Sequence, residues 1–217
     1  MTNTKGEIVA LLKRNGGHSV KELAAAVKLA SITVRQHLTR LQRDGLVAAG
    51  QRSNGNGRPS YIFRLTAKGH AAAFPRRSDR LVELVVREVG FLEGAELTGL
   101  SREEKMGLVL QRLAHRLADE FAPLLQGWPL QERVAFVTEV MHADGGFAEW
   151  EATDRGYEIR DYNCLFHRLF QGQSGVCQWH RSFLCRLLGA AVQVSPSPGD
   201  AGSSCRFIVE AATPNEA

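Results

Sequence analysis

The chain has 217 residues, a net charge of +4, 44% hydrophobic and 23% charged residues. That is the balance of an ordinary globular protein with room for two modest cores. No apolar run reaches the length needed to span a bilayer. The opening "MTNTKGEIVALLKRN" breaks its apolar residues with charge and has no small-residue cleavage site, so a signal peptide is not expected and the cytoplasm is.

The charge is divided along the chain. Residues 1–77 carry +11 and the remaining 140 carry −7. One end is built to meet a polyanion and the other is not.

In chain order, "TKGEIVALLKRNGG" puts Ile8, Val9, Leu11 and Leu12 on one helical face and stops at Gly16-Gly17. "SVKELAAAVKL" opens with a capping box, Ser19 and Glu22, and continues with a Val20, Leu23, Ala24, Val27 stripe. Ser31 is the expected N-cap of a third helix, "ITVRQHLTRLQRDGL", with Val34, Leu38 and Leu41 facing inward and Gly45 ending it. Its opposite face carries Thr33, Arg35, Gln36, Thr39, Arg40 and Arg43, side chains able to read base edges or hold phosphates in a major groove. Ser31, Thr33, Arg35, Gln36, Thr39 and Arg40 are therefore the expected DNA contacts from this helix.

Two strand-like runs, around Leu46–Ala49 and Tyr61–Leu65, flank "SNGNG". They predict a β-hairpin with a loose tip, from which Arg52 and Arg58 follow the phosphate backbone. The stretch "ELAAAVKLASITVRQHLTRLQRDGLV" through "GRPSYIFRLTAKG" resembles bacterial winged-helix repressors of the broad ArsR/DeoR-like class, with "GRP…Y.F.LT.KG" specific to one branch. The resemblance spans about the first 75 residues and implies binding to double-stranded DNA.

From Ser78 the pattern turns helical. "DRLVELVVREVGFL" spaces Leu81, Leu84, Val85 and Val89 as one face; "SREEKMGLVLQRLAHRLADEFAPLLQ" opens with a Ser101/Glu104 capping box; "PLQERVAFVTEVMHADGG" closes at Gly145-Gly146. These amphipathic helices are natural subunit contacts. A homodimer is expected, since two heads related by a two-fold axis read a palindromic operator.

The last third predicts a small α+β domain. "FAEWEAT" and "YEIRDYN" form a hairpin, "CLFHRLFQ" a short helix, "GQSGVC" a loop, "QWHRSFLCRLLGAA" a helix, and "AVQV" with "SCRFIVEA" a second hairpin. All four cysteines, Cys164, Cys177, Cys185 and Cys205, lie here. In a reducing compartment such clustering suggests metal or redox chemistry over disulfides. The C-x12-C-x7-C-x19-C spacing lacks the close knuckles of structural zinc sites, whereas an iron–sulfur cluster accepts widely separated thiolates. Four unrelated packing cysteines are the plain alternative.

"DYNCLFHRLF…GVCQWHRSFL…SSCRFIV" resembles the C-terminal domain of the SufR-like family, winged-helix iron–sulfur repressors that control cluster-assembly operons. The resemblance implies a homodimer with one cluster per subunit, [4Fe-4S] expected over [2Fe-2S], whose state controls operator binding. Cys164, Cys177 and Cys205 match family positions. The family's remaining cysteine falls within the stretch that is here 191–197, where this chain has none. Cys185 lies earlier, and is the fourth expected ligand, with His167 and His180 as non-cysteine alternatives. The expected organisation is thus α+β: a winged helix-turn-helix over 1–75, a helical dimerisation region over 76–145 and an α+β sensor domain over 146–217.

Two other readings stay open. One keeps the DNA-binding head and makes the rear a zinc-bound or small-effector sensor. The other is a thiol enzyme using Cys164 and His167, for which the sequence marks neither an orienting acid nor an oxyanion pocket; no enzymatic activity is expected.

Overall fold

The computed structural model describes residues 4–52, 60–75, 78–143, 145–163, 175–196 and 204–211. The chain divides after Pro75 into two compact units.

The first unit begins with α1 (Thr4–Asn15), α2 (Val20–Ala26) and α3 (Ser31–Arg43), followed by β1 (Val47–Arg52), β2 (Ser60–Leu65) and α4 (Ala67–Ala73). The expected capping box starts α2: Ser19 Oγ accepts from the Glu22 amide at 3.3 Å and Glu22 Oε2 accepts from the Ser19 amide at 2.6 Å. Ser31 is not the N-cap of α3. Lys28 adopts a left-handed φ of 55°, Ala30 takes the cap position in extended backbone without a side-chain bond, and Ser31 is the first helical residue. Ile8, Leu12, Leu23, Val34, Leu38, Leu41, Val47 and Phe63 form one core. β1 and β2 pair antiparallel from Val47↔Leu65 to Arg52↔Ser60. His18 adds an isolated antiparallel bridge to β2, exchanging both backbone bonds with Phe63 at 3.0 and 2.8 Å, which no alternation announces.

The "LTAKG" run proves to be a packing device. Thr66 Oγ1 accepts from the Gly69 amide at 3.0 Å to cap α4, and donates to the Gly45 carbonyl at 2.7 Å. Lys68 Nζ donates to the Asp44 carbonyl at 2.9 Å, satisfying the C-terminal end of α3. Any Cβ on Gly69 would overlap the Leu46 carbonyl. The motif thus ties α4 to the junction between α3 and β1.

The second unit contains α5 (Ser78–Val89), α6 (Arg102–Phe121), α7 (Leu130–Ala143), β3 (Ala148–Thr153), β4 (Gly156–Asp161), α8 (Gly175–Leu188), β5 (Val192–Pro196) and β6 (Cys205–Glu210). The Ser101/Glu104 box opens α6 as expected, with bonds of 2.8 and 3.3 Å. Both expected hairpins form, and they join edge to edge in one antiparallel sheet of order β3-β4-β6-β5. Alternation along β6 buries Cys205, Phe207 and Val209 beneath the helices.

No domain boundary follows residue 145. Leu110, Leu113, Leu117, Val134 and Val137 share a single core with Ile159, Phe183, Leu184 and Phe207. The helices expected to be a separate region instead share this core: α7 packs on β3 and β4, and α6 packs along α8. A bidentate pair, Arg186 to Asp119 at 2.6 and 3.0 Å, further joins α8 to α6.

On α5, Leu84 and Val85 pack against that core but Val89 is 52% exposed, off the expected inner face. Glu88 takes the inward position instead. Its fully buried carboxylate accepts from Arg112 Nε at 2.9 Å and Arg116 Nε at 2.6 Å. Burial alone raises the Glu88 pKa, but the Arg116 and Arg112 hydrogen bonds and charges outweigh it and hold the carboxyl below its ordinary value.

Candidate nucleic-acid interface and thiol site

In the first unit, Val34, Leu38 and Leu41 anchor α3 in the core. This turns Ser31, Arg35, Gln36, Thr39 and Arg40 outward, with Thr33 half-buried at the edge. Arg43 is also exposed, its Nε 4.0 Å from Asp44. The expected reading face is therefore a continuous solvent-facing strip. Arg52 ends β1, with only its backbone described; Arg58 lies outside the described residues. One exposed member of the strip escaped the polar-face reading of the sequence: Ile32, in the first turn.

Residues 1–48 match the family model described as winged helix-turn-helix DNA-binding. The head is a winged helix-turn-helix DNA-binding domain. Three helices, an antiparallel hairpin and a basic, outward-facing α3 are the parts of such a domain, in which the recognition helix generally lies in the major groove. No curated protein sequence matches the chain. Among solved structures, the chain is similar to ZitR of Lactococcus lactis, a zinc-responsive MarR family member, at 21% identity over 56% of this chain and 76% of that one, with a TM-score of 0.27. It is similar to MepR of S. aureus in complex with DNA at 21% identity, covering 54% and 80%, TM-score 0.31. The adhesin competence repressor AdcR of Streptococcus pyogenes matches at 19% identity, covering 58% and 84%, TM-score 0.31. Likeness at this level does not extend to what the chain binds.

Beyond the winged helix, the rear unit gathers three chain segments at one end of its sheet. Asp161, the last residue of β4, pairs in register with Cys205, the first of β6. Cys164 follows three positions after Asp161 and lies, with His167, outside the described residues. Cys177 is the third residue of α8, on a helix that starts earlier than the loop expected there; only its backbone is described. No Pro interrupts the run after Gly175, so the helix extends back through Cys177.

The start of α8 is fixed to the same sheet end. The His180 ring lies 5.6 Å from the Phe207 ring, edge to face. His180 is three residues after Cys177 and Phe207 is two after Cys205. Trp179 stacks on Phe183 at 5.6 Å, and burial pushes the His180 imidazole down to about 4, leaving it neutral.

The approach to Cys164 is pinned by buried polar groups that the sequence did not single out. Asp161 Oδ1 accepts from the Asn163 amide at 2.9 Å and the Phe147 amide at 3.3 Å. Asn163 Nδ2 donates to the Gly145 carbonyl at 2.7 Å. A Cβ on Gly146 would come within 2.5 Å of the Met141 carbonyl, so the chain leaving α7 passes tightly beneath this pin. The only sequence signal is "DYN", two small polar residues directly before a cysteine.

Cys185 lies eight residues after Cys177 on the same helix, about 12 Å along the axis and about 80° around it. It is partly buried against the rear core. Among the described residues no three His, Cys, Asp or Glu side chains group as metal ligands. Cys185, Cys205 and His180 thus do not by themselves make a site. Among the same residues no helix is long and apolar enough to cross a membrane.

Proposed function

We propose that this chain is a homodimeric, DNA-binding transcriptional repressor whose operator affinity is set by an iron–sulfur cluster in its rear unit, in the manner of the SufR-like family it resembles. The ligands are Cys164, Cys177 and Cys205, with Cys185 or a non-cysteine group such as His167 as the fourth. The observation that carries the reading is the convergence at one sheet end: the Asp161↔Cys205 rung and the His180–Phe207 contact. They bring the segment before Cys164, the second turn of α8 and the start of β6 together. The donor set fits the group, since thiolates hold iron–sulfur clusters as well as zinc. A cluster bound there supplies a core that responds to oxidation and iron supply, and ties two hairpins and a helix to its occupancy.

The dimer is supported by α5. Val82, Val86 and Val89 are each more than half exposed at i, i+4 and i+7 spacing, opposite the face that packs on the core. Two heads on a two-fold axis address a palindrome, and a small change in their relative angle loses register with it.

The deciding measurement is the visible absorption of anaerobically purified protein, with iron, sulfide and zinc counts. Iron and sulfide with broad visible bands support the reading; a colourless protein with equimolar zinc replaces it with a zinc sensor. Sedimentation at micromolar concentration tests the dimer, and a monomer with and without cluster overturns it.

A further inference from the structure

The exposed face of α3 is not wholly polar. Ile32 is 65% exposed, on a helix whose other aliphatic residues, Val34, Leu38 and Leu41, are buried to about one percent or less. The head's core therefore makes no use of it. At helical spacing it belongs to one strip with Arg35, Gln36 and Thr39, the i, i+3, i+4 and i+7 positions. It lies in the first turn, the part of a recognition helix that reaches base edges. Leu29, 38% exposed on the turn before α3, continues the apolar edge.

A scattered exposed aliphatic residue needs no explanation on an ordinary surface. This strip is not ordinary. It is the groove-facing surface of a DNA-binding domain, where every other member donates or accepts hydrogen bonds. In the major groove one base edge presents a carbon group: the C5-methyl of thymine. A protein partner is the competing occupant of an apolar tip, but the centre of a protein interface is depleted of charge. Ile32 instead lies one turn from Arg35 and Gln36 on a head with a net charge of +11.

We propose that Ile32 is a specificity-determining residue that reads thymine, packing its side chain against the C5-methyl of one thymine in each half-site. Gln36, one turn further on, hydrogen-bonds a neighbouring base edge, so the pair reads adjacent positions by different chemistry. The inference rests on the proposed reading that two heads of a homodimer bind DNA, and not on which group the rear unit holds.

The test is selection from randomised duplex DNA by the full-length protein, run in parallel with libraries containing thymine and libraries in which uracil replaces it. Uracil pairs identically and lacks only the methyl group. The parent should enrich thymine at one position of each half-site, by about fourfold for one buried methyl, and should lose that preference in the uracil library. Ile32→Ala should lose it in both libraries with the other positions unchanged, while Ile32→Val should retain it. Because Ile32 is exposed, the Ala variant should keep the parent's circular dichroism and thermal midpoint. An identical parent consensus in both libraries overturns the proposal. So does an Ala variant with the parent's thymine preference, or a parent that selects nothing from either library. If Ile32→Ala abolishes binding outright, the parent's uracil comparison still decides.

Discussion

The two units use their most recognisable residues in opposite ways. In the head, the "LTAKG" signature packs: Thr66 caps, Lys68 closes the end of α3, and Gly69 lets α4 touch the Leu46 backbone. The residues proposed to meet DNA are the exposed ones between the buried anchors of α3. In the rear unit the recognisable residues are the thiols themselves, and the proposed chemistry is theirs directly. A signature can therefore report architecture in one half of a protein and chemistry in the other.

Substituting a signature residue in each unit separates the two roles. Serine at Cys164, Cys177 or Cys205 should abolish the cluster's visible absorption completely, together with the cluster-dependent part of operator affinity, while far-ultraviolet circular dichroism stays that of the parent. Serine at Cys185 sharpens the same experiment. Complete loss of colour makes it the fourth ligand, and retained colour with faster release to a chelator points to a non-cysteine ligand such as His167.

Gly69→Ala is the corresponding substitution in the head. The new methyl group meets a backbone carbonyl that cannot yield without moving β1, so destabilisation of about 3 kcal/mol or more is expected. Thermal unfolding should show it as loss of the head, with any rear-unit absorbance unchanged. A variant as stable as the parent breaks the assignment of "LTAKG" to packing.

Gln36→Ala acts on a residue outside the signature. It should leave stability alone and relax discrimination at one or two base positions by about 1–3 kcal/mol, measured by competition among operator variants. Unchanged discrimination would mean that another face of α3 meets the groove.

The smallest expected effect concerns Glu88. Its carboxyl is held below the ordinary value of 4.5 by Arg116 and Arg112 despite burial. The folded form is thus depressed relative to the unfolded one. The stability it contributes is present above pH 4.5 and is lost as pH falls through the folded value. Glu88→Gln should lower the thermal midpoint by a few degrees near neutrality and give a shallower fall on acidification. An acid limb with the parent's slope would show that the pair contributes nothing to pH dependence.

Local signals were legible in the sequence and non-local ones were not. The Ser19/Glu22 and Ser101/Glu104 boxes and the buried seam of α3 involve residues a few positions apart, the rear hairpins pair neighbouring runs, and each forms as read. The start of α3 shifted by one because Lys28 takes a left-handed conformation that no composition rule assigns to lysine. Glu88 defeated the apolar-face reading of α5 because its partners lie a helix away, on α6. The His18 bridge, the joining of the hairpins through β4 and β6, and the shared rear core depend on distant pairing, which periodicity does not encode. The exposed polar face of α3 was legible in the sequence, and for that reason Ile32 was passed over. Of the proposed thiol site, Cys164 and the side chain of Cys177 lie outside the described residues; the chain is described up to Asn163 and along the backbone of α8.

The Asp161↔Cys205 rung has a kinetic consequence. β3 and β4, and β5 and β6, are close in sequence, but β4 and β6 are joined through all of α8 and β5, so their pairing carries the larger loop-closure cost and forms after the hairpins. Within that ladder Cys205 holds a terminal rung, and ladder ends open with far less free energy than their middles. Amide exchange in the cluster-free protein should therefore be fastest at this end of the β4–β6 ladder and slowest near Ile159 and Phe207. The sheet would expose its buried thiol by fraying one rung, long before the unit as a whole unfolds.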